Sequence, residues 1–340
     1  MERETVLVGM SGGVDSAAAA VLLQEAGYRA VGCTLRLYDN GDIGREGSCC
    51  SLEDVEDARS TARRLGMDFH VFNFSSLFRE QVMDQFVAGY QAGRTPNPCI
   101  QCNRRVKFEA LLRRADDLGL RRIATGHYAR VDCERGRWRL LRGRDRRKDQ
   151  SYVLYPLSQE VLSRLLLPVG EYDKASVRAL AEARGLCPAH KPDSQDICFV
   201  PDGNYPAFLQ RYGGLALREG DTQGRVLGRH RGLPCYTTGQ RRGLGVSADR
   251  PLYVVRKDAG SNTVVLGDEA ALYSDTVWAE DFHWVSLPPQ TGPLAVTAKT
   301  RYSQTEAAAT LYPEENGAVR VVFDQPQRAV TAGQSLVCYQ

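Results

Sequence analysis

The apolar run Thr5-Val-Leu-Val-Gly9 leads straight into Gly9-Met-Ser-Gly-Gly-Val-Asp-Ser16, and that into a helical pattern over 16–26 stopped by Gly27. A strand that turns through adjacent glycines into a helix has few uses. The glycines let the backbone close around an anion, Ser11 and Ser16 bring hydroxyl donors, and the helix start offers N–H groups at the positive end of its dipole. The segment predicts a phosphate cradle. It is not a Walker A loop, which needs a Lys, nor a G-x-G-x-x-G turn. Strands over 30–37, 69–74 and 122–125 then alternate with helices over 53–65 and 106–118, the latter two stopped by Gly66 and Gly119. Repeated βαβ order predicts the α/β class with a parallel sheet.

After Pro168 one further helix is expected, N-capped by Asp173 and stopped by Gly185. From about residue 215 the chain is Gly-rich with short alternating runs, which predicts a small β-rich central domain and a C-terminal β-barrel. The expected domains are 1–200, 201–270 and 271–340. At 340 residues, 43% hydrophobic and 25% charged, the composition is globular. No apolar run approaches the ~20 residues of a membrane span, and the Met1-Glu-Arg-Glu-Thr start is too acidic for a secretory leader. A soluble cytoplasmic protein with no membrane partner is expected. Charge is uneven: residues 99–148 carry 16 Lys/Arg against 6 Asp/Glu, although the whole chain is only +3. Such a concentrated positive footprint fits a polyanion.

The loop Ser11-Gly-Gly-Val-Asp-Ser16 matches the S-G-G-x-D-S signature of the PP-loop ATP pyrophosphatases, which cleave ATP between the α and β phosphates and pass AMP to a substrate oxygen. The resemblance implies ATP with Mg²⁺. The nucleophile must specify the substrate. Ten cysteines without a secretory leader argue against a disulfide scaffold. Two of them stand in Thr95-Pro-Asn-Pro-Cys-Ile-Gln-Cys-Asn103, ahead of a helix and beside Arg104, Arg105 and Lys107, where a thiolate is expected to be favoured. Structural zinc takes four ligands as a rule, and there is no second C-x-x-C.

Together with Lys107-Phe108, Ala124-Thr-Gly-His-Tyr128, Lys148-Asp-Gln-Ser-Tyr152, Lys191-Pro-Asp-Ser-Gln-Asp-Ile-Cys-Phe199, Tyr236-Thr-Thr-Gly-Gln-Arg-Arg-Gly243, Arg301-Tyr302 and Ala332-Gly-Gln-Ser335, these motifs make the chain resemble the tRNA-specific 2-thiouridylases. Those enzymes place sulfur at C2 of the wobble uridine in the anticodon arm. The resemblance implies nucleotide contacts at Gly9, Met10, Ser11, Gly12, Gly13, Val14, Asp15, Ser16, Leu35 and Gly126. It implies that the target base lies against Asn97, Pro98 and position 99. Cys102 corresponds to the nucleophilic cysteine and Cys198 to the persulfide carrier, fed by a sulfur donor or relay protein, or by sulfide. For tRNA contacts it implies His127, Lys148, Asp149, Gln150, Arg301, Tyr302 and Gln334.

One position departs from the best-known family pattern, which has an acid-base Asp where this chain has Cys99. A thiol does not replace a carboxylate as a proton acceptor at neutral pH. Cys99, Cys102 and Cys198 would instead suit an iron-sulfur cluster with one open iron, so a cluster and a Cys102/Cys198 persulfide relay are both expected routes. Eight basic residues, Arg135, Arg137, Arg139, Arg142, Arg144, Arg146, Arg147 and Lys148, crowd a stretch expected to meet RNA phosphates. The alternatives are a PP-loop ligase amidating a small metabolite, which needs neither paired thiols nor a basic segment, and a non-catalytic metal-cluster RNA-binding protein.

Overall fold

The computed structural model describes residues 3–38, 52–186, 197–200, 203–213, 226–315 and 317–340. Two compact units form. One comprises Met1–Val82, Cys99–Pro201 and Trp284–Pro288, the other Met83–Pro98, Asp202–His283 and Pro289–Gln340. Among the described residues no helix is long and apolar enough to cross a membrane.

The first unit is built on β1 (Thr5–Gly9), β2 (Arg29–Arg36), β3 (Phe69–Asn73) and β4 (Arg122–Thr125). A hairpin of β5 (Ala129–Glu134) and β6 (Arg137–Arg142) follows, and then the short β7 (Leu165–Leu166). The sheet is parallel, in the order β3-β2-β1-β4-β7. The helices that matter for the site and its support are α1 (Val14–Glu25), α2 (Leu52–Arg64), α3 (Asp84–Gln91) of the second unit, α4 (Pro98–Gln101), α5 (Leu111–Asp117) and α6 (Lys174–Ala183). Helix α1 is buried on nearly every side, which its run of alanines permits. Val14, Ala17 and Val21 pack on Ala181 and Leu186, while Ala18 and Ala19 pack on Tyr128, Val169 and Val177. Asp173 caps α6 as expected, accepting from Ser176 N at 2.7 Å.

The helix expected over 106–118 starts earlier. Pro98, whose missing N–H costs nothing at a helix start, opens α4, and wide π-type turns over Cys102–Ala110 lead into α5. The buried side chains of Ile100, Val106, Phe108, Leu111 and Leu112 hold this run against the core.

In the second unit, Phe86 of α3 packs against Tyr205 and Phe208 of α7 (Tyr205–Gly213). The antiparallel hairpin β8 (Tyr253–Asp258) and β9 (Thr263–Gly267) closes a small core with Leu233, Tyr236 and Leu244. A barrel-like antiparallel sheet then runs in the order β10-β13-β12-β11-β14: β10 (Tyr273–Ala279), β11 (Leu294–Lys299), β12 (Ala307–Pro313), β13 (Val319–Arg328) and β14 (Val337–Tyr339).

Candidate active site

Strand β1 has β2 and β3 on one side and β4 and β7 on the other, so the strand order reverses at the parallel β1/β4 pair, the position where open α/β sheets bind ligands. Gly9 ends β1 opposite Thr125 at the end of β4, which sets the loop 10–13 beside Gly126, His127 and Tyr128. Both loops need glycine. At Gly12 (φ +73°) a Cβ would stand 2.4 Å from Asp54 O, and at Gly126 it would stand 2.5 Å from Asp15 C and 2.6 Å from Ser16 N. No side chain caps α1 at Gly13, so its first N–H groups remain available, and a Cβ on Gly13 would meet only Ser11 Oγ, at 3.4 Å. Ser16 Oγ accepts from Ser11 N (3.2 Å) and donates to Gly13 O (3.0 Å), fixing the cradle's curve.

Two of the expected nucleotide residues turn their side chains into the core. Met10 is buried in the sheet core, donates its N–H to Cys33 O and accepts from Thr34 Oγ1, and Val14 packs on Ala181. The side chains left facing the cradle are those of Ser11, Asp15 and Ser16, between Gly12 and Gly13. Leu35 is half-buried near the C-terminal end of β2, on the same edge of the sheet.

A carboxylate in an anion cradle needs compensation. Lys174 Nζ donates to both Asp15 oxygens, at 2.7 and 2.8 Å, and Tyr128 OH donates to Oδ1 at 2.7 Å. The Lys174 side chain is only 12% exposed, so this ion pair is little screened. Lys174 supplies the cation that the loop itself lacks, and nothing in its sequence neighbourhood reveals it, because 159 positions separate it from Asp15.

Cys102 is buried and Cys99 exposed, and with Cys198, which is half-buried, they are thiols rather than disulfides. Burial pushes the Cys102 thiol up to about 11, against the pull of Lys107 and with a further rise from Cys99. The primed thiolate expected from Arg104, Arg105 and Lys107 is thus not the resting form. The reason is that Arg104 and Arg105 are turned onto Glu109 (3.3 and 2.9 Å), leaving Lys107 alone against desolvation. Beside Cys102, Asn103 donates to Val153 O, and its buried Oδ1 has no partner among the described residues. Burial, then Lys107, pushes His127 down to about 3, so its ring is neutral, with Nδ1 2.8 Å from Thr125 Oγ1. Cys198 O accepts from Tyr38 OH at 3.3 Å, and most of its motif, 191–196, lies outside the described residues. Among the described residues no three His, Cys, Asp or Glu side chains are gathered as a metal-ligating group. Cys99, Cys102 and Cys198 are thus not gathered as a ligand set among the described residues. Mg²⁺ would draw on a carboxylate and phosphate oxygens, and the cradle's carboxylate, Asp15, is engaged by Lys174 and Tyr128.

The expected RNA residues are tied into the fold to different degrees. Asp149 accepts from Gly143 N and Ser151 Oγ (2.9 and 2.6 Å), and Gln150 Oε1 accepts from Tyr128 N at 2.9 Å, bracing the loop after β4. Lys148 N donates to Asp145 O. In the second unit Arg301 Nη2 donates to Thr238 O, Ala329 O and Thr331 Oγ1, Gln334 Nε2 donates to Thr95 O, and Tyr302 is exposed. Asn97 is half-buried and Pro98 buried. The arginine-rich stretch is less bare than its sequence suggests. Arg139 pairs with Asp132 and Glu134, Arg144 with Glu171, and Arg137 donates to Trp284 O. Arg135, Arg146 and Arg147 are exposed and, among the described residues, make no ion pair.

The chain matches the family described as "tRNA methyl transferase HUP domain" over residues 4–202, "tRNA methyl transferase PRC-barrel domain" over 207–268 and "Aminomethyltransferase beta-barrel domain" over 274–340. It is 49% identical to the tRNA-specific 2-thiouridylase MnmA of Acetivibrio thermocellus, covering 100% of this chain and 97% of that protein. To the same-named protein of Moorella thermoacetica it is 49% identical over 98% of this chain and 96% of that protein. To that of Heliobacterium modesticaldum it is 47% identical over 99% and 90%.

Alkylation followed by peptide mass spectrometry is expected to label Cys99 well before Cys102 at about pH 7.5, with the Cys102 rate climbing about tenfold per pH unit toward 11. Equal rates at about pH 7.5 would contradict a buried, neutral Cys102. Calorimetric titration with a non-hydrolysable ATP analogue should show Lys174→Met weakening binding by on the order of 10- to 100-fold, each decade being ~1.4 kcal/mol. Removing the stranded carboxylate as well, in Asp15→Asn/Lys174→Met, is expected to recover part of that loss.

Proposed function

This chain belongs to the tRNA-specific 2-thiouridylase family, and from that premise we propose that it is an ATP-dependent tRNA-uridine 2-sulfurtransferase acting on the wobble uridine of the anticodon arm. The observation that carries the reading is the meeting, at the β1/β4 switch point, of an uncapped phosphate cradle with the loop Gly126-His-Tyr128, whose neighbour Lys107 also acts on Cys102. Curated relatives at 47–49% identity over nearly the whole chain bear this name. Within this reading, 1–200 is the catalytic domain, 201–270 the central domain and 271–340 the C-terminal barrel.

ATP supplies the adenylyl group that turns the uridine O2 into a leaving group, with release of pyrophosphate. Ser16 Oγ holds the loop's curve through Ser11 N and Gly13 O, while the first-turn N–H groups of α1 and the Ser11 hydroxyl bind the phosphates. Lys174 and Tyr128 hold Asp15 so that its charge does not repel them. The target base lies against Asn97, Pro98 and Cys99. His127, being neutral, gives it a hydrogen bond rather than a charge.

A persulfide source charges Cys198. The Cys102 thiolate, once its proton is lost, attacks the inner sulfur of the Cys198 persulfide, expelling hydrosulfide and forming a Cys102–Cys198 disulfide. Hydrosulfide attacks C2, the C2–O2 bond breaks, and AMP leaves. A dithiol reductant then reopens the disulfide. A raised thiol pKa at Cys102 suits this order, because the strong nucleophile emerges only when the proton is taken.

Nucleoside mass spectrometry of unmodified tRNA incubated with metal-stripped protein, ATP, Mg²⁺ and a persulfide donor is expected to show 2-thiouridine. Loss of product in Cys102→Ser and in Cys198→Ser, with nucleotide binding intact, should accompany it. No 2-thiouridine even after iron-sulfur reconstitution would refute the activity. For RNA affinity, Arg146→Ala/Arg147→Ala is expected to weaken tRNA binding and to lower the slope of log affinity against log salt by about 2. Arg139→Ala, whose guanidinium is held by Asp132 and Glu134, should leave that slope nearly unchanged.

A further inference from the structure

Residues Arg94 to Pro98 precede the thiol pair, yet they are packed within the second unit. Thr95 is gripped there at three atoms. Its N–H donates to Ala332 O (2.9 Å), its carbonyl accepts from Gln334 Nε2 (2.6 Å), and its hydroxyl accepts from Lys257 Nζ (3.2 Å). The turn that makes the first two contacts has no slack: at Gly333 (φ +91°) a Cβ would stand 2.8 Å from Arg94 Cβ and 2.9 Å from Thr95 N. On the other side, α3 closes on the strap so tightly that a Cβ on Gly89 would stand 2.7 Å from Pro96 Cγ.

Lys257 is the unexpected member. It is half-buried on β8, its ammonium stands 5.6 Å from the centroid of the Tyr90 ring, and among the described residues it makes no ion pair. Burial pushes it down to about 8. Withdrawing an ammonium from water without a counter-ion is costly, and a Met would pack the Tyr90 face as well, so packing alone does not account for a lysine here. What a lysine adds is a donor to the Thr95 hydroxyl, with cation–π attraction to hold that donor in place.

The strap converts this contact into position. Pro96 and Pro98 have fixed φ, and Thr95 and Asn97, each preceding a proline, are held to extended conformations, so Thr95-Pro-Asn-Pro98 is stiff along its length. An anchor at Thr95 therefore sets where Asn97 stands, two residues on.

We propose that Lys257 is a positioning residue for the transfer: by fixing Thr95 it sets Asn97 and Pro98 in the arrangement that receives the target nucleoside. This rests on the thiolation reading, in which those residues meet the base. Lys257 itself touches neither substrate nor sulfur.

The test compares steady-state thiolation by the full-length wild type, Lys257→Met, Lys257→Arg and Thr95→Val. Loosening the strap is expected to lower kcat by on the order of 10- to 100-fold in Lys257→Met while the tRNA KM stays within about threefold. Nucleotide affinity and melting temperature should match wild type, and Lys257→Arg should restore most of the rate. Thr95→Val removes the other half of the contact at nearly constant volume, so it should reproduce the kcat loss and add little to Lys257→Met in the double variant. An unchanged kcat in Lys257→Met would overturn the proposal, as would a raised KM at intact kcat, which would make Lys257 an RNA-phosphate contact. Wild type that makes no 2-thiouridine would instead refute the thiolation reading on which it rests.

Discussion

Gly126 has no room for a side chain because the backbone of Asp15 and Ser16 fills the space where one would grow. That contact, together with the pairing of Gly9 and Thr125, locks the loop after β4 onto the first turn of α1. Everything at the site follows from it. Tyr128 reaches Asp15, His127 is drawn under the helical run that carries Cys102 and Lys107, and Gln150 braces the loop from behind. The helix start stays uncapped by any side chain, which leaves its N–H groups for a ligand.

Desolvation dominates the chemistry that this packing creates. It leaves His127 neutral and Cys102 protonated in the resting state, while Asp15 is held by Lys174. In the resting protein Cys102 is therefore a buried, protonated thiol. A thiol activated only during the cycle is protected from stray oxidation and alkylation, which follow thiolate character and exposure.

Much of this was legible in the sequence. Strands β1 and β4 have the bounds expected from their apolar runs, Asp173 caps its helix, and the Gly-rich loop sits where a cradle should. Long-range pairing was not legible. Lys174 looks like any helix-start lysine until α6 packs on α1 and brings it to Asp15. The arginine-rich stretch looks like a bare RNA surface, but antiparallel pairing of β5 with β6 puts Asp132 directly opposite Arg139 and Glu134 opposite Arg137. Met10 and Val14 belong to the signature loop as letters, yet their apolar side chains seek the core, and only the small and polar positions between them face outward. Residues Arg94 to Pro98 carry no sign that they belong with the β8/β9 hairpin and the barrel-like sheet, because the grip on Thr95 comes from residues more than 150 positions away.

The most direct test of the account is the fate of the α-phosphate. Protein incubated with α-labelled ATP, Mg²⁺ and unmodified tRNA, then resolved by chromatography, should give pyrophosphate and label transferred to the RNA, and labelled AMP once a persulfide donor is added, all only when tRNA is present. ADP as the labelled product, or AMP formed equally well without tRNA, would contradict a cradle that adenylates RNA.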